Sequence, residues 1–461
     1  MVLRDLVMLT EEDLIEEIMK RKSGLSREEL LRMVDERLAR NPFLTRAGAL
    51  LIILEEERLW ESLTPRDFSV TEIANLTPGL RNIRLFGRLL GFRRSSLKGG
   101  RTLTIFRIGD RTGTVCALLW GDAGDDLRPG EVLGLSGFQA SIDKLTGSLE
   151  LVGGDGAKVE RGGGDPEPPP LRTFFKTPSQ VGMGDGALYD IVCVVLFNCG
   201  IEMIRRGDFA RTIARLVVGD ESGSYPLTLW GDLSSMVSGL GTGDTVLITS
   251  LKRDGDGFSS TNRTTIHRIN GEGWTSPQAA LERIKGGKRL KILYADDRIT
   301  ICTDGTRLLR LGVKAEFKVG ECLNAIDTVT VNWNGIPHIY FRDVEPLQAG
   351  DYEDIPEPRI QLESISDLRR DILFEGSLAR KGPTSIAATR YGDMRVLSLW
   401  IKVDDRIYPA TVWGAKTREL EPVPEGSRLR ILMAAVRRDR FGGVEIVVDE
   451  DTALIVENGF K

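Results

Sequence analysis

Cysteine and histidine are scarce in this sequence of 461 residues. Five cysteines lie far apart and none has Cys-x-x-Cys spacing, which favours reduced core cysteines over a disulfide framework or a zinc site. The two histidines, His267 and His338, have no other plausible metal ligand near them in the sequence. The sequence therefore predicts neither a metal site nor a cofactor.

Long apolar runs are also missing. The longest, Ala47–Leu54, is far shorter than the roughly 18 residues that cross a bilayer, and it leads into three glutamates. Met1–Thr10 shows no export signal, so we expect a cytoplasmic protein without a membrane partner. The net charge of −5 does not exclude nucleic-acid binding, because binding needs only a local positive groove.

Three segments repeat one pattern, an acidic turn followed by a strand that ends in Trp-Gly. They read GDRTGTVCALLWG at Gly109–Gly121, GDESGSYPLTLWG at Gly219–Gly231 and VDDRIYPATVWG at Val403–Gly414. β-rich stretches flank each copy. Five short strands in about 80–100 residues predict a small Greek-key barrel of the OB type. The longer gap before the third copy has room for one more barrel that has lost the motif.

The repeat divides the chain into five units and predicts a mostly β fold. We expect tandem five-stranded OB barrels at 68–158, 172–270 and 360–458, a degenerate OB-like unit at 278–347, and a small helical domain at 1–62. In the helical domain, start boxes at Thr10-x-x-Asp13 and Ser26-x-x-Glu29 precede apolar residues at helical spacing, and a third helix is predicted at Thr45–Trp60. The Gly- and Pro-rich segment Arg161–Pro170 predicts an extended, mobile linker.

The repeated tryptophans are candidates for base stacking. Side chains alternate along a strand, so Trp230 shares a face with Pro226 and Thr228, away from the barrel core, and Trp413 lies in the same way beside Pro409 and Thr411. An aromatic ring on the outer surface of a barrel suits stacking of single-stranded bases. The alternative is that these rings pack under a loop or against the neighbouring domain. The face of Trp120 is more apolar, and Trp333 near a hairpin turn is a candidate substitute in the degenerate unit.

Basic residues cluster in the loops that would flank these rings, and two phenylalanines, Phe258 and Phe441, follow shortly after. A groove of cations and aromatic rings can follow phosphates and stack bases, whereas solvated loop charge is the alternative for any one of them. The candidate phosphate contacts are Arg93, Arg94, Lys98, Arg101, Arg205, Arg206, Arg211, Lys252, Arg253, Lys381, Arg437 and Arg438, with Arg380, Arg390 and Arg440 nearby.

The segment Phe174–Asn270 resembles a DNA-binding barrel of replication protein A, through RRGDFART, GDESG, LTLWG and the polar run Ser259–Thr265. Residues 82–152 and 370–456 resemble the same module more loosely, and EEIMKRKSGLSREEL resembles the helical domain of archaeal single-chain members. The resemblance implies single-stranded DNA binding in replication, recombination and repair, with partner proteins contacted through the helical domain. It implies stacking pairs of Trp230 with Phe258 and Trp413 with Phe441. In the first barrel the second position of the pair is Leu149, which implies one-sided stacking on Trp120. The Cys-rich zinc element of many relatives is missing.

Three other functions compete with this interpretation. An enzyme is disfavoured because the sequence has no phosphate-binding Gly-Lys-Ser/Thr loop and no histidine cluster, and its acidic pairs lie at predicted turns. Single-stranded RNA remains an alternative ligand, since stacking grooves do not reject the 2′-hydroxyl. An OB-based protein-interaction scaffold is the third alternative.

Overall fold

A computed structural model of the chain describes residues 11–22, 24–40, 44–56, 70–96, 100–121, 126–163, 167–182, 187–206, 209–270, 273–313, 316–347, 355–389, 392–439 and 441–457. The fold is mostly β, with several OB-type units in tandem and a small helical region at the N-terminus. No helix in these ranges is long and apolar enough to cross a membrane.

The helical region consists of α1 (Glu11–Arg21), α2 (Arg27–Arg40) and α3 (Arg46–Glu56). The box predicted before α2 is confirmed, because Ser26 and Glu29 exchange hydrogen bonds between backbone amide and side chain, at 3.0 and 3.2 Å. Thr10 of the other box lies outside the described residues. The apolar faces of the helices join one core with the first barrel.

Barrel 1 and barrel 2 are closed and five-stranded. Barrel 1 comprises β1 (Ile83–Ser96), β2 (Thr102–Gly109), β3 (Thr114–Trp120), β4 (Val132–Ile142) and β5 (Leu149–Arg161). Barrel 2 comprises β6 (Leu188–Arg206), β7 (Phe209–Gly219), β8 (Ser224–Trp230), β9 (Thr245–Asp254) and β10 (Gly257–Ile269). In both, the third strand pairs in parallel with the fifth, as the Greek-key order requires.

Unit 3 and unit 4 keep this strand order in more broken form. Unit 3 begins with α4 (Pro277–Glu282) and has β11 (Gly287–Ala295), β12 (Thr300–Thr303), β13 (Leu308–Leu311), β14 (Cys322–Ile326), β15 (Val329–Trp333), β16 (Ile336–Tyr340) and β17 (Asp343–Pro346). Unit 4 has β18 (Leu373–Thr389), β19 (Gly392–Val403), β20 (Arg406–Trp413), α5 (Lys416–Leu420), β21 (Arg428–Leu432), β22 (Ala435–Arg438), β23 (Val444–Val448) and β24 (Ala453–Glu457). Each forms a seven-stranded sheet in which the third strand again has a parallel partner.

A left-handed backbone residue recurs at one place in all four units. It lies in β4 or β9 of the closed barrels, and between β14 and β15 or β21 and β22 in the others. The residues are Gly137 (φ 75°), Ser250 (φ 54°), Asp327 (φ 52°) and Met433 (φ 60°). Non-glycine residues rarely adopt this conformation, so the repeat marks a required bend. At this bend the pairing with the fifth strand changes register, between Ser136 and Phe138 in barrel 1 and between Thr249 and Leu251 in barrel 2.

The connection from barrel 1 to barrel 2 is fastened to barrel 1. The Arg88 guanidinium on β1 donates to the carbonyl oxygens of Pro168 (2.8 Å) and Pro169 (2.5 Å) and pairs with Glu167 at 2.8 Å. The prediction of a mobile linker is therefore wrong for residues 167–169, because all three bind one side chain.

Candidate nucleic-acid interface

The acidic turns of the repeat are structural. Asp220 accepts hydrogen bonds from the amides of Ser179, Ser222 and Gly223, at 2.8–2.9 Å. Burial opposes ionisation of this carboxyl, but the hydrogen bonds outweigh burial and lower its pKa. Asp110 serves the same turn in barrel 1. Among the described residues, no group of three or more His, Cys, Asp or Glu is placed to hold a metal ion.

Each repeated tryptophan lies half-buried at the end of the third strand of its unit, in β3, β8 or β20. On β20 the core takes Tyr408, Ala410 and Val412, which puts Trp413 on the outer face, as the alternation predicts. On β8 the indole N–H of Trp230 donates to the Ser259 hydroxyl at 2.9 Å. The units differ in whether a neighbouring unit packs against this outer face.

In barrel 1 the outer face of β2 and β3 is covered by barrel 2. Arg107 on β2 forms a buried ion pair with Asp190 of barrel 2, with 3.0 Å between Nη2 and Oδ2. Its ladder neighbour Cys116 contacts Ser250 of barrel 2, with 3.3 Å between Sγ and Oγ. Trp120 lies at the rim of this contact, and the Arg101 guanidinium carbon lies 4.6 Å from the centre of its ring. The face of β3 that carries Trp120 also carries Cys116 and Leu118, and it is apolar because barrel 2 packs against it.

Barrel 2 presents its outer face to unit 3 in the same way. Val217 on β7 packs in one apolar cluster with Val331 and Trp333 of unit 3. The Trp333 ring is 6% exposed, and its N–H donates to the Tyr340 hydroxyl at 3.0 Å. Arg215 of barrel 2 lies over this ring at 5.2 Å. The prediction that Trp333 is a substitute stacking platform is corrected, because the ring is buried between two units.

Unit 3 in turn packs its outer face on unit 4. Ile301 and Leu308 belong to one apolar cluster with Leu373 and Met433 of unit 4. Arg310 on β13 pairs with an aspartate of unit 4, with 2.6 Å between Nη1 of Arg310 and Oδ1 of Asp451. Three successive units are therefore stacked so that the second- and third-strand face of each is covered by the next.

The corresponding face of unit 4 is open to solvent. The ladder between β19 and β20 pairs Trp400 with Pro409, Ser398 with Thr411, and Val396 with Trp413, all on the outer side. Ser398 and Pro409 are exposed, and the two tryptophans are half-buried. Trp400 was not among the residues predicted from the sequence, although its alternation with the buried Leu399 and Ile401 was a readable signal.

Charge surrounds this open face. The Arg380 guanidinium carbon lies 5.2 Å from the centre of the Trp400 ring. Arg437 pairs with Glu445 at 3.0 Å on the neighbouring strands β22 and β23. Phe441, in the turn between those strands, is 81% exposed. We call Trp400, Trp413, Arg380, Arg437 and Phe441 the open face.

The predicted partner of Trp230 lies elsewhere. Phe258 is 2% exposed and belongs to the core of barrel 2, where it meets Tyr225 at 6.1 Å between ring centres. Arg253, a predicted phosphate contact, lies 4.8 Å from the centre of the Phe258 ring and covers it. Phe258 is therefore corrected from a stacking residue to a core residue, because its ladder partner Leu227 faces the core.

The remaining predicted phosphate contacts fall into four groups. Arg101, Arg211, Lys252 and Arg437 are exposed, and Arg93 and Arg94 are half-buried. Lys381 and Arg438 donate to the carbonyl oxygens of Glu421 (2.8 Å) and Ile365 (2.9 Å), and their phosphate contacts stay predictions. Lys98, Arg390 and Arg440, and the side chains of Arg205 and Arg206, lie outside the described residues.

No protein-family model matches the chain. Among solved structures it is similar to a replication protein A heterotrimer bound to single-stranded DNA, at 12% identity and a TM-score of 0.36, over 84% of this chain and 96% of that one. It is also similar to fission yeast Pot1 solved with single-stranded DNA, at 13% identity and a TM-score of 0.20, over 48% of this chain and 95% of that one. The second OB-fold domain of replication protein A from Methanococcus maripaludis matches at 16% identity and a TM-score of 0.19, over 22% of this chain and 99% of that one. The likeness is thus to replication protein A and other OB-fold proteins, at low sequence identity.

Proposed function

We propose that the chain binds single-stranded DNA with little regard for sequence, without catalysing a reaction. Bases stack on tryptophan rings and arginines contact the phosphates. The open face of unit 4 carries the proposal: two half-buried tryptophans share one exposed strand face with Arg380 and Arg437. Each stacked base contributes about 1–3 kcal/mol regardless of its identity, because every base has an aromatic face.

The arrangement favours single strands over a duplex. Rings on a strand surface can stack only on bases that are already unpaired, and short polar side chains such as Ser398 and Thr411 leave room for them between the two tryptophans. The arginines beside the rings supply the charge that follows a phosphate backbone. The proposed role is protection of single strands during replication, recombination and repair, as in archaeal single-chain replication protein A. The helical region would contact replication and repair proteins.

The test is a titration of labelled dT oligomers of increasing length, followed by fluorescence anisotropy at several salt concentrations. Trp400→Ala should weaken binding about 5- to 150-fold, which corresponds to about 1–3 kcal/mol. Trp400→Phe keeps an aromatic ring and is the matched control, which should retain most of the affinity.

Two results would contradict the proposal. A slope near zero of log affinity against log salt would exclude phosphate contacts as the source of binding. Equal affinity of Trp400→Ala and the unmodified protein would exclude stacking on the open face. Tighter binding of oligo-U than of matched oligo-dT would instead favour RNA as the ligand, and binding of neither would favour a protein scaffold.

A further inference from the structure

The outer face of barrel 1 continues past its contact with barrel 2. Arg107, at the centre, is paired with Asp190. The next row outward on the strands β1, β2 and β3 is Arg93, Ile105 and Leu118, and the row after that is Ser95, Leu103 and Trp120. Directly opposed residues of antiparallel strands share a face, so Arg93 and Trp120 lie on the same side, one row apart. Both lie where the contact between the barrels ends.

Barrel 2 brings Trp230 to the same edge. The Arg93 guanidinium donates to the Asn262 carbonyl oxygen on β10, at 2.6 Å. Two residues earlier on β10, the Ser260 hydroxyl accepts a hydrogen bond from the Trp230 backbone amide at 2.9 Å. Trp120 and Arg93 therefore lie one row apart on the same face of barrel 1, and both Arg93 and Trp230 contact β10. We call these residues, with Asn262, the junction rim.

One N–H group of the Arg93 guanidinium is left without a hydrogen-bond acceptor at this edge, in the part of the chain that the structure describes. Its Nε has no hydrogen-bond partner among the described residues, although it is buried from solvent. Burial lowers the Arg93 pKa, the neighbouring Arg263 lowers it further, and Asp232, two residues after Trp230, opposes the shift only in part. A guanidinium that has lost water without gaining an ion pair gains more from a bound anion than a solvated one does.

We propose that the junction rim is one composite site, at which a single strand passes from barrel 1 to barrel 2 with a phosphate on Arg93 and bases on Trp120 and Trp230. The proposal rests on the proposed function and extends it from the open face to the covered barrels. The packing of barrel 1 against barrel 2 then covers strand faces and also brings the residues of the junction rim together. A phosphodiester fits because it offers a single charge and two acceptor oxygens to a planar guanidinium.

Arg93→Gln is the direct test, since glutamine keeps a donor for the Asn262 carbonyl but removes the charge. With a dT oligomer of roughly 30 nucleotides, enough for two OB units, affinity should fall about tenfold. The salt slope should become shallower by about 0.7, the value for one lost single-strand phosphate contact. Arg93→Lys should keep the slope. Arg128→Gln, an exposed residue of the loop before β4, is the matched control and should change neither quantity.

A second measurement separates a shared site from two independent ones. The same oligomer carrying 5-iodouracil is photo-crosslinked to the full chain, and the yields at the Trp120 and Trp230 peptides are compared with the yield at Trp413. Arg93→Gln should lower both yields relative to Trp413. If the chain binds DNA but Arg93→Gln behaves like Arg128→Gln in affinity, slope and yields, the junction rim is not a site and the proposed function stands. If the unmodified chain does not bind, both proposals fail.

Discussion

The buried ion pair between Arg107 and Asp190 should hold barrels 1 and 2 together. Their side chains are 8% and 4% exposed. Burial acts to lower the Arg107 pKa, but Asp190 and Cys116 outweigh burial and raise it overall, so the guanidinium stays charged. Asp190→Asn removes the negative charge while keeping an acceptor for the Ser250 amide, which donates to Asp190 at 2.8 Å. The unpaired cation left behind should cost about 3–5 kcal/mol.

The assay is hydrogen exchange at the Ser250 amide, because one melting temperature does not describe a chain of several units. A loss of 3 kcal/mol or more corresponds to exchange faster by roughly a hundredfold or more. The double variant Arg107→Met with Asp190→Asn removes both charges and should recover most of the protection, since a buried pair can be replaced by neutral groups at little cost.

The exposed pair between Arg111 and Glu72 provides the control. Glu72→Gln should cost no more than about 1 kcal/mol, because solvent screens that pair. If Asp190→Asn leaves exchange at Ser250 unchanged, or if the double variant is as unprotected as the single one, then charge pairing does not hold the junction.

Four further expectations concern single residues. Trp230→Ala should weaken single-strand binding by about 1–3 kcal/mol with little change in thermal stability, as titration and calorimetry on one variant would show. Trp333→Ala should instead cost about 3–5 kcal/mol of stability, read by chemical denaturation, since its ring is 6% exposed. Burial lowers the His338 pKa to about 3, so the unfolding free energy should fall as the pH drops from about 6.5 towards 3, and His338→Gln should flatten that slope between pH 6.5 and 5. Gly91→Ala should loosen barrel 1 from barrel 2 in hydrogen exchange, because its Cβ would lie 2.2 Å from Oγ1 of the fully buried Thr265.

The fold and the outward direction of Trp413 could be predicted from the sequence because their signals are local. Because side chains alternate between the two faces of a strand, Trp413 points to the outer face while its neighbour Val412 points into the core. The two reciprocal hydrogen bonds between Ser26 and Glu29 join residues that are only three positions apart in the sequence. Trp400 could have been found from the same period. These signals need no knowledge of which strands meet.

The covered faces could not be predicted, because they depend on contacts between distant segments. Arg107 and Asp190 are 83 residues apart, and neither has a neighbour in sequence that reveals the other. Phe258 was misplaced for a related reason. Its direction is set by the parallel register that matches it to Leu227, and that register follows from closure of the barrel rather than from the hairpin turn before it.

The bonds from Arg88 to residues 167–169 affect how barrels 1 and 2 would bind one DNA strand together. Domains on a free tether bind a strand in two steps, and the second step depends on the effective concentration that the tether length sets. Here the carbonyls of Pro168 and Pro169 are bound to barrel 1 and Lys176 bridges to Ile191 of barrel 2, so only residues 170–175 remain as a tether between the barrels. Long strands should therefore leave barrels 1 and 2 in a single dissociation step, and lengthening the segment before residue 167 should change that rate little.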